Sequence, residues 1–96
     1  MATLKAYKDF ILEQLNLTDG ITVKPMMGEY LLYKDGALFG GIYDNRLLIK
    51  ITDTNKKYGL ECVLPYSGAK HMYLVDDLDD KEKLKNIISD TCKGLL

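Results

Sequence analysis

Two dipeptides, Asp35-Gly36 and Asp44-Asn45, constrain the fold of this chain more than any other feature. Asp-Gly supplies the positive-φ positions of tight hairpin turns, and Asp-Asn serves the same geometry because short polar side chains tolerate the left-handed region. Each dipeptide lies between runs rich in apolar and aromatic residues that suit a pleated, half-buried surface. Val23, Met26, Met27 and Tyr30–Tyr33 precede the first turn, Leu38–Tyr43 join the two, and Arg46–Thr52 follow the second. Ile21–Thr52 is therefore expected to form a three-stranded antiparallel meander. Pro25 lacks an N–H donor and belongs at a strand start or a sheet edge. Gly40-Gly41 predicts a bulge or a close backbone approach in the middle strand.

Helical periodicity flanks this β region. Leu4, Tyr7, Phe10, Ile11, Leu15 and Leu17 recur at spacings of three and four, with Thr3 as the expected cap and Asp19-Gly20 as the break. Asp53–Tyr58 reads as a short helix capped by Asp53 and stopped by Gly59. Glu61–Pro65 and Lys70–Val75 read as two strands around a turn at Tyr66-Ser67-Gly68. A last helix opens at Asp79–Glu82, where Asp79 and Glu82 have capping-box spacing, and buries Leu84, Ile87, Ile88, Thr91, Cys92 and Leu95. The expected fold class is α+β in two layers, with the order α-βββ-α-ββ-α. It comprises a mostly antiparallel five-stranded sheet with helices on one face, in a single domain over residues 1–96.

Composition narrows the function classes. A 96-residue chain that is 47% hydrophobic and 28% charged is globular and can build a core without disulfides or metals. The formal net charge is −1, and almost every cation has an acid within a few residues. That pattern is a solvated surface and not the gathered Lys/Arg stripe that neutralises duplex phosphates, so direct nucleic-acid binding by a monomer is not expected. No apolar run reaches the roughly 20 residues of a membrane span. Residues 1–10 lack the pattern of a secretory signal. A cytoplasmic location is expected, with Cys62 and Cys92 as reduced thiols.

Candidate chemistry is sparse. The acidic run Asp76, Asp77, Asp79, Asp80 and Glu82 lacks the alternating ligands and glycine of a calcium loop, and reads as a helix N-terminus favouring acids. His71 is the single histidine, so two-histidine metal sites are excluded. Cys62 and His71 fall on adjacent expected strands, but no third, orienting group is identifiable. Gly36–Gly41 lacks the Gly-Lys-Ser/Thr ending of a phosphate loop and precedes no helix. No catalysis, metal or cofactor is expected. The aromatic and sulfur-rich residues are different, since methionine adapts to irregular contacts and tyrosine is frequent at interfaces. With strand alternation, half of them serve the core and half are left on the open sheet face. Lys24, Met26, Met27, Tyr30, Tyr33, Tyr43, Arg46 and Lys50 are the candidate contact surface.

The run from Lys24-Pro25-Met26-Met27-Gly28 through Tyr33-Lys34-Asp35-Gly36 to Leu38-Phe39-Gly40-Gly41, continuing to Lys50, resembles the N-terminal domain of the TfoX/Sxy competence-regulator family. Val63–Tyr66, Gly68–Lys70 and Met72–Asp76 are similar to its small stand-alone bacterial members. Met27 stands where an aromatic is common in the family, and Glu29 where a second glycine is common. The resemblance spans nearly the whole chain. It implies a secretion-chaperone-like α+β fold and a regulatory module acting through contacts with another protein or a second copy of itself. It brings no catalytic residues. The alternative expectation is a domain that holds a peptide or small ligand on the open sheet face.

Overall fold

A computed structural model describes residues 2–96; Met1, the first residue of the expected domain, lies outside them. The chain runs α1 (Lys5–Gln14), β1 (Ile21–Met26), β2 (Glu29–Lys34), β3 (Ala37–Ile42), β4 (Leu47–Ile49), a 3₁₀ turn (Lys56–Tyr58), β5 (Glu61–Val63), β6 (Met72–Val75) and α2 (Lys81–Lys93). The α+β class stands, but the sheet has six strands and not five. The extra strand arises at Met27-Gly28, within what reads from sequence as one long strand. Both residues are left-handed there, with φ of 50° and 86°, and Met26 pairs with Glu29 across the turn. That is the primed geometry whose twist matches flanking strands. Asp35-Gly36 and Asp44-Asn45 form the two expected turns with the same sign of φ, so three tight hairpins follow one another.

All neighbouring strands are antiparallel, in the order β1-β2-β3-β4-β6-β5. β6 inserts between β4 and β5, so the chain must leave β4 and pass the site of β6 before laying down the edge strand β5. Pro25 lies in β1, the other edge, where its missing donor breaks no interior ladder. A bulge between Leu32 and Tyr33 shifts the β2–β3 register. Gly40 lies close against β4: a Cβ there would stand 2.2 Å from the Leu48 carbonyl oxygen.

One face of the sheet packs against both helices. Leu32, Phe39, Ile42, Leu47, Ile49, Tyr73 and Val75 meet Ile11 of α1, Leu15 at its C-cap, and Leu84, Ile87 and Ile88 of α2. The α2 stripe is as its periodicity predicts. The α1 stripe is narrower: Leu4 and Leu17 fall outside the helix and Phe10 lies on its flank, all three exposed. Thr3 is not the α1 cap, since Leu4 holds that position without a side-chain bond. The Thr3 hydroxyl instead donates to Glu29 Oε1 (2.7 Å) and accepts from the Asn45 amide (3.2 Å), tying the N-terminal arm to two hairpins. Glu29 also accepts from the Asp44 amide at 3.0 Å through Oε2. At α2 the cap is Asp80 and not Asp79, because it is Asp80 Oδ1 that reaches the Lys83 amide (3.0 Å). The expected short helix at Asp53–Tyr58 shrinks to the 3₁₀ turn, with Asn55 as its N-cap residue and Gly59 as its stop.

The reason is the side chain of Asn55, which is fully buried. Its Oδ1 accepts from the Thr52 amide (2.9 Å), and its Nδ2 donates to the Lys50 carbonyl (2.8 Å) and to Thr91 Oγ1 (2.9 Å) on α2. The Thr91 hydroxyl in turn donates a hydrogen bond to the Ile87 carbonyl (2.8 Å). Beside this group Tyr58 donates to Asp90 Oδ2 (2.5 Å), and Lys57 pairs with the same carboxylate (3.1 Å). The Tyr58 bond and then Lys57 hold the Asp90 carboxyl below its usual range, while burial and Asp90 push Tyr58 up to about 12.

Asn55→Ala leaves the Lys50 carbonyl, the Thr52 amide and the Thr91 hydroxyl short of a partner in a closed interior. Chemical denaturation should show a loss of about 2–4 kcal/mol. Met27→Asn keeps the left-handed turn and replaces a residue that strains there, so the same measurement should show a gain of about 0.5–1 kcal/mol. A loss with Met27→Asn would contradict the hairpin at 27–28.

Candidate functional site

Alternation sends a second set of side chains to the face away from the helices. Gly41, Leu48 and Leu74 lie in one register row, and Lys24 pairs with Leu31 and Thr22 with Tyr33 in the strands beside it. None of Leu31, Tyr33, Leu38, Tyr43, Leu48, Met72 or Leu74 belongs to the helix-side core. This face is strongly apolar for one that no helix covers. Leu48 is nonetheless fully buried. Its row-mate Gly41 lies beneath the Tyr43 ring, so close that a Cβ on Gly41 would stand 2.7 Å from a ring carbon. Glycine here is a packing requirement.

The loop 64–71 folds back over this face. Arg46, in the turn before β4, donates through Nη2 to the Leu64 (3.3 Å) and Pro65 (3.2 Å) carbonyls and through Nε to the Tyr43 carbonyl (3.2 Å). Tyr66 sits edge-on to Tyr43, with ring centroids 6.3 Å apart, and the Ala69 amide bonds to the Tyr66 carbonyl (3.2 Å). Burial, the neighbouring Tyr66 and Glu29 raise the Tyr43 hydroxyl above its ordinary pKa. Between loop and sheet lies a cavity of about 600 Å³. Its apolar lining comes from Leu38, Tyr43, Tyr66 and Met72, and its charged lining from Lys50 and Lys70, with His71 beside them.

The structure divides the sequence-derived contact set. Lys24, Met26, Tyr33, Tyr43 and Lys50 alternate onto the open side, the last two lining the cavity. Tyr30 does not join them: it packs against the helix-side core under the Lys8 ammonium, 5.6 Å from its ring centroid. Met27 sits at the tip of the first hairpin, 98% exposed. Arg46 is occupied by the loop. The residues that sequence reasoning missed are Leu38, Tyr66, Lys70 and Met72. Their one available signal was the turn at Tyr66-Ser67-Gly68, which says that the chain reverses and not where it lands.

Cys62 pairs with Tyr73, and His71 precedes β6, so the register does not set the two opposite each other. The cavity contains His71 without Cys62 or any carboxylate among its lining residues. Among the described residues no group of three or more His, Cys, Asp or Glu side chains is placed to hold a metal ion. Both cysteines are free, and burial pushes the Cys92 thiol up. Asp77, Asp80 and Glu82 gather at the start of α2, with Asp80 capping and Asp77 paired to Lys83 (3.4 Å). No helix of the described residues is long and apolar enough to cross a membrane.

The fold defines a two-layer α+β domain in which two helices cover one face of a single antiparallel sheet. The chain belongs to the TfoX N-terminal domain family, whose model matches residues 13–94. It is also 33% identical to an uncharacterised 12.7 kDa protein encoded in the trpE 5′ region of Spirochaeta aurantia, over 99% of this chain and 85% of that protein.

The anchoring role of Arg46 has a direct consequence. Lysine at this position keeps the charge but cannot reach both loop carbonyls and the Tyr43 carbonyl with one planar group. In Arg46→Lys, hydrogen exchange at the Ala69 amide should quicken by about fivefold, equivalent to about 1 kcal/mol of lost bonding, with the β4 amides unchanged.

Proposed function

We propose that this domain is a regulatory module of the competence-regulator type, acting on transcription through contacts with another protein and not through catalysis. The observation that carries the reading is the asymmetry of the sheet. Its helix side closes into a core, while its other side presents Leu31, Tyr33, Tyr43 and Met72 beside the exposed Lys24. Half-buried apolar and aromatic side chains on a face that no helix covers supply the contact area protein partners use, with tyrosine as a preferred anchor. Family membership supports the direction, since competence regulators act on gene expression. A second reading, that the same face holds a peptide or small ligand, is favoured by the cavity beneath the loop 64–71.

The test compares affinity capture by the wild-type chain, by Lys24→Glu/Tyr33→Ser on the open face, and by Lys85→Glu on the exposed side of α2. Each is first shown to be folded by circular dichroism. A specific protein should be recovered by wild type and by Lys85→Glu, and should fall by at least about tenfold with the open-face variant, as loss of an interface anchor does. Undiminished recovery with that variant, or no specific protein with any of the three, removes the proposal.

A further inference from the structure

The geometry points to the cavity under the loop 64–71 as a binding site for a small organic carboxylate with an apolar body. This rests on the ligand-binding reading of the open face and names the ligand's chemistry.

Charge comes first. Lys50 and Lys70 line the cavity with His71, and no acidic side chain lines it. Among the described residues neither lysine ammonium lies within ion-pair distance of a carboxylate; Lys5, Lys24 and Lys85 are also unpaired, but they do not line the cavity. Uncompensated cations lining a concave surface focus an attractive field on anions. Lys50 is also held in place. Its amide donates to the Phe39 carbonyl (2.8 Å) and its carbonyl accepts from the buried Asn55 (2.8 Å), so the ammonium projects from a backbone fixed at both ends.

Shape and polarity supply the rest of the ligand. Leu38, Met72 and the Tyr43 and Tyr66 rings give apolar contact area that a bare inorganic anion would leave wet. A neutral apolar molecule would bury the lysines without compensation. A volume of about 600 Å³ lies within the roughly 300–1,000 Å³ of ligand pockets. The position argues against an extended peptide. The strand residues that line the cavity belong to β3 and β6, which are interior strands, whereas main-chain pairing with a peptide needs an edge.

The experiment titrates the ¹⁵N-labelled full chain with 4-phenylbutanoate and, separately, with its neutral isostere 4-phenylbutanamide. The acid should shift the amides of Leu38, Lys50, Lys70 and Met72, and the amide should bind several-fold more weakly. Lys50→Gln and Lys70→Gln should each weaken the acid by about threefold, as expected of single partly exposed charges, without affecting the isostere. Equal binding of acid and isostere in the cavity overturns the carboxylate assignment while leaving a ligand site. Failure of both compounds to perturb these amides overturns the assignment and the ligand reading together. The two lysines lie on different segments, so a folding defect in one variant leaves the other to decide.

Discussion

The amide of Asn55 is the interaction on which the rest of the architecture depends. β4 ends at Ile49, and beyond it the backbone polar groups of Lys50 and Thr52 need partners in a region closed to water. One asparagine supplies both, and its remaining proton goes to Thr91 on α2. Buried polar groups of this kind are worth little when satisfied and cost much when broken, so they specify geometry more than they add stability. Here the geometry is the crossover. Because the chain is clamped to α2 at Asn55, it passes on the helix side and reaches the edge for β5. β6 is then left to fill the gap beside β4 on its return.

That return path builds the site. β5 and β6 are antiparallel neighbours, so the loop 64–71 that joins them starts beside the uncovered face, and Arg46 catches it there at Leu64 and Pro65. Lys50 sits where the two constraints meet: its backbone belongs to the Asn55 clamp and its side chain to the cavity under the loop. Helix docking on one face and cavity formation on the other therefore share a residue. The fold has no separate scaffold and site.

Much of this was legible in the residues, and the failures have physical causes. Asp35-Gly36 and Asp44-Asn45 announce their turns because their side chains suit positive φ. Met27-Gly28 makes the same turn without that signal, and the apolar run on both sides reads as unbroken strand. Asn55 looked like an ordinary polar residue of a short helix, since nothing local indicates that its amide will be buried against α2. The open face was legible by alternation for Tyr33, whereas Tyr30, three residues earlier in β2, falls on the opposite side by the same rule. The cavity was not legible, because it needs a loop and a strand order that only long-range pairing decides.

The overall charge was informative in a narrower sense than it first suggests. A net charge of −1 describes a chain whose cations and anions nearly cancel, and many do so locally, as in Lys8–Asp9, Lys57–Asp90, Lys81–Glu13 and Lys83–Asp77. These pairs involve the helices and the 3₁₀ turn beside them. On the other side Lys50 and Lys70 line the cavity with no acidic side chain among its lining residues. Because fields at exposed surfaces decay within about 8 Å at physiological salt, a ligand in the cavity responds to those nearby lysines and hardly at all to the total. A near-neutral chain can therefore carry a locally positive recess, provided the fold keeps acids out of the recess itself.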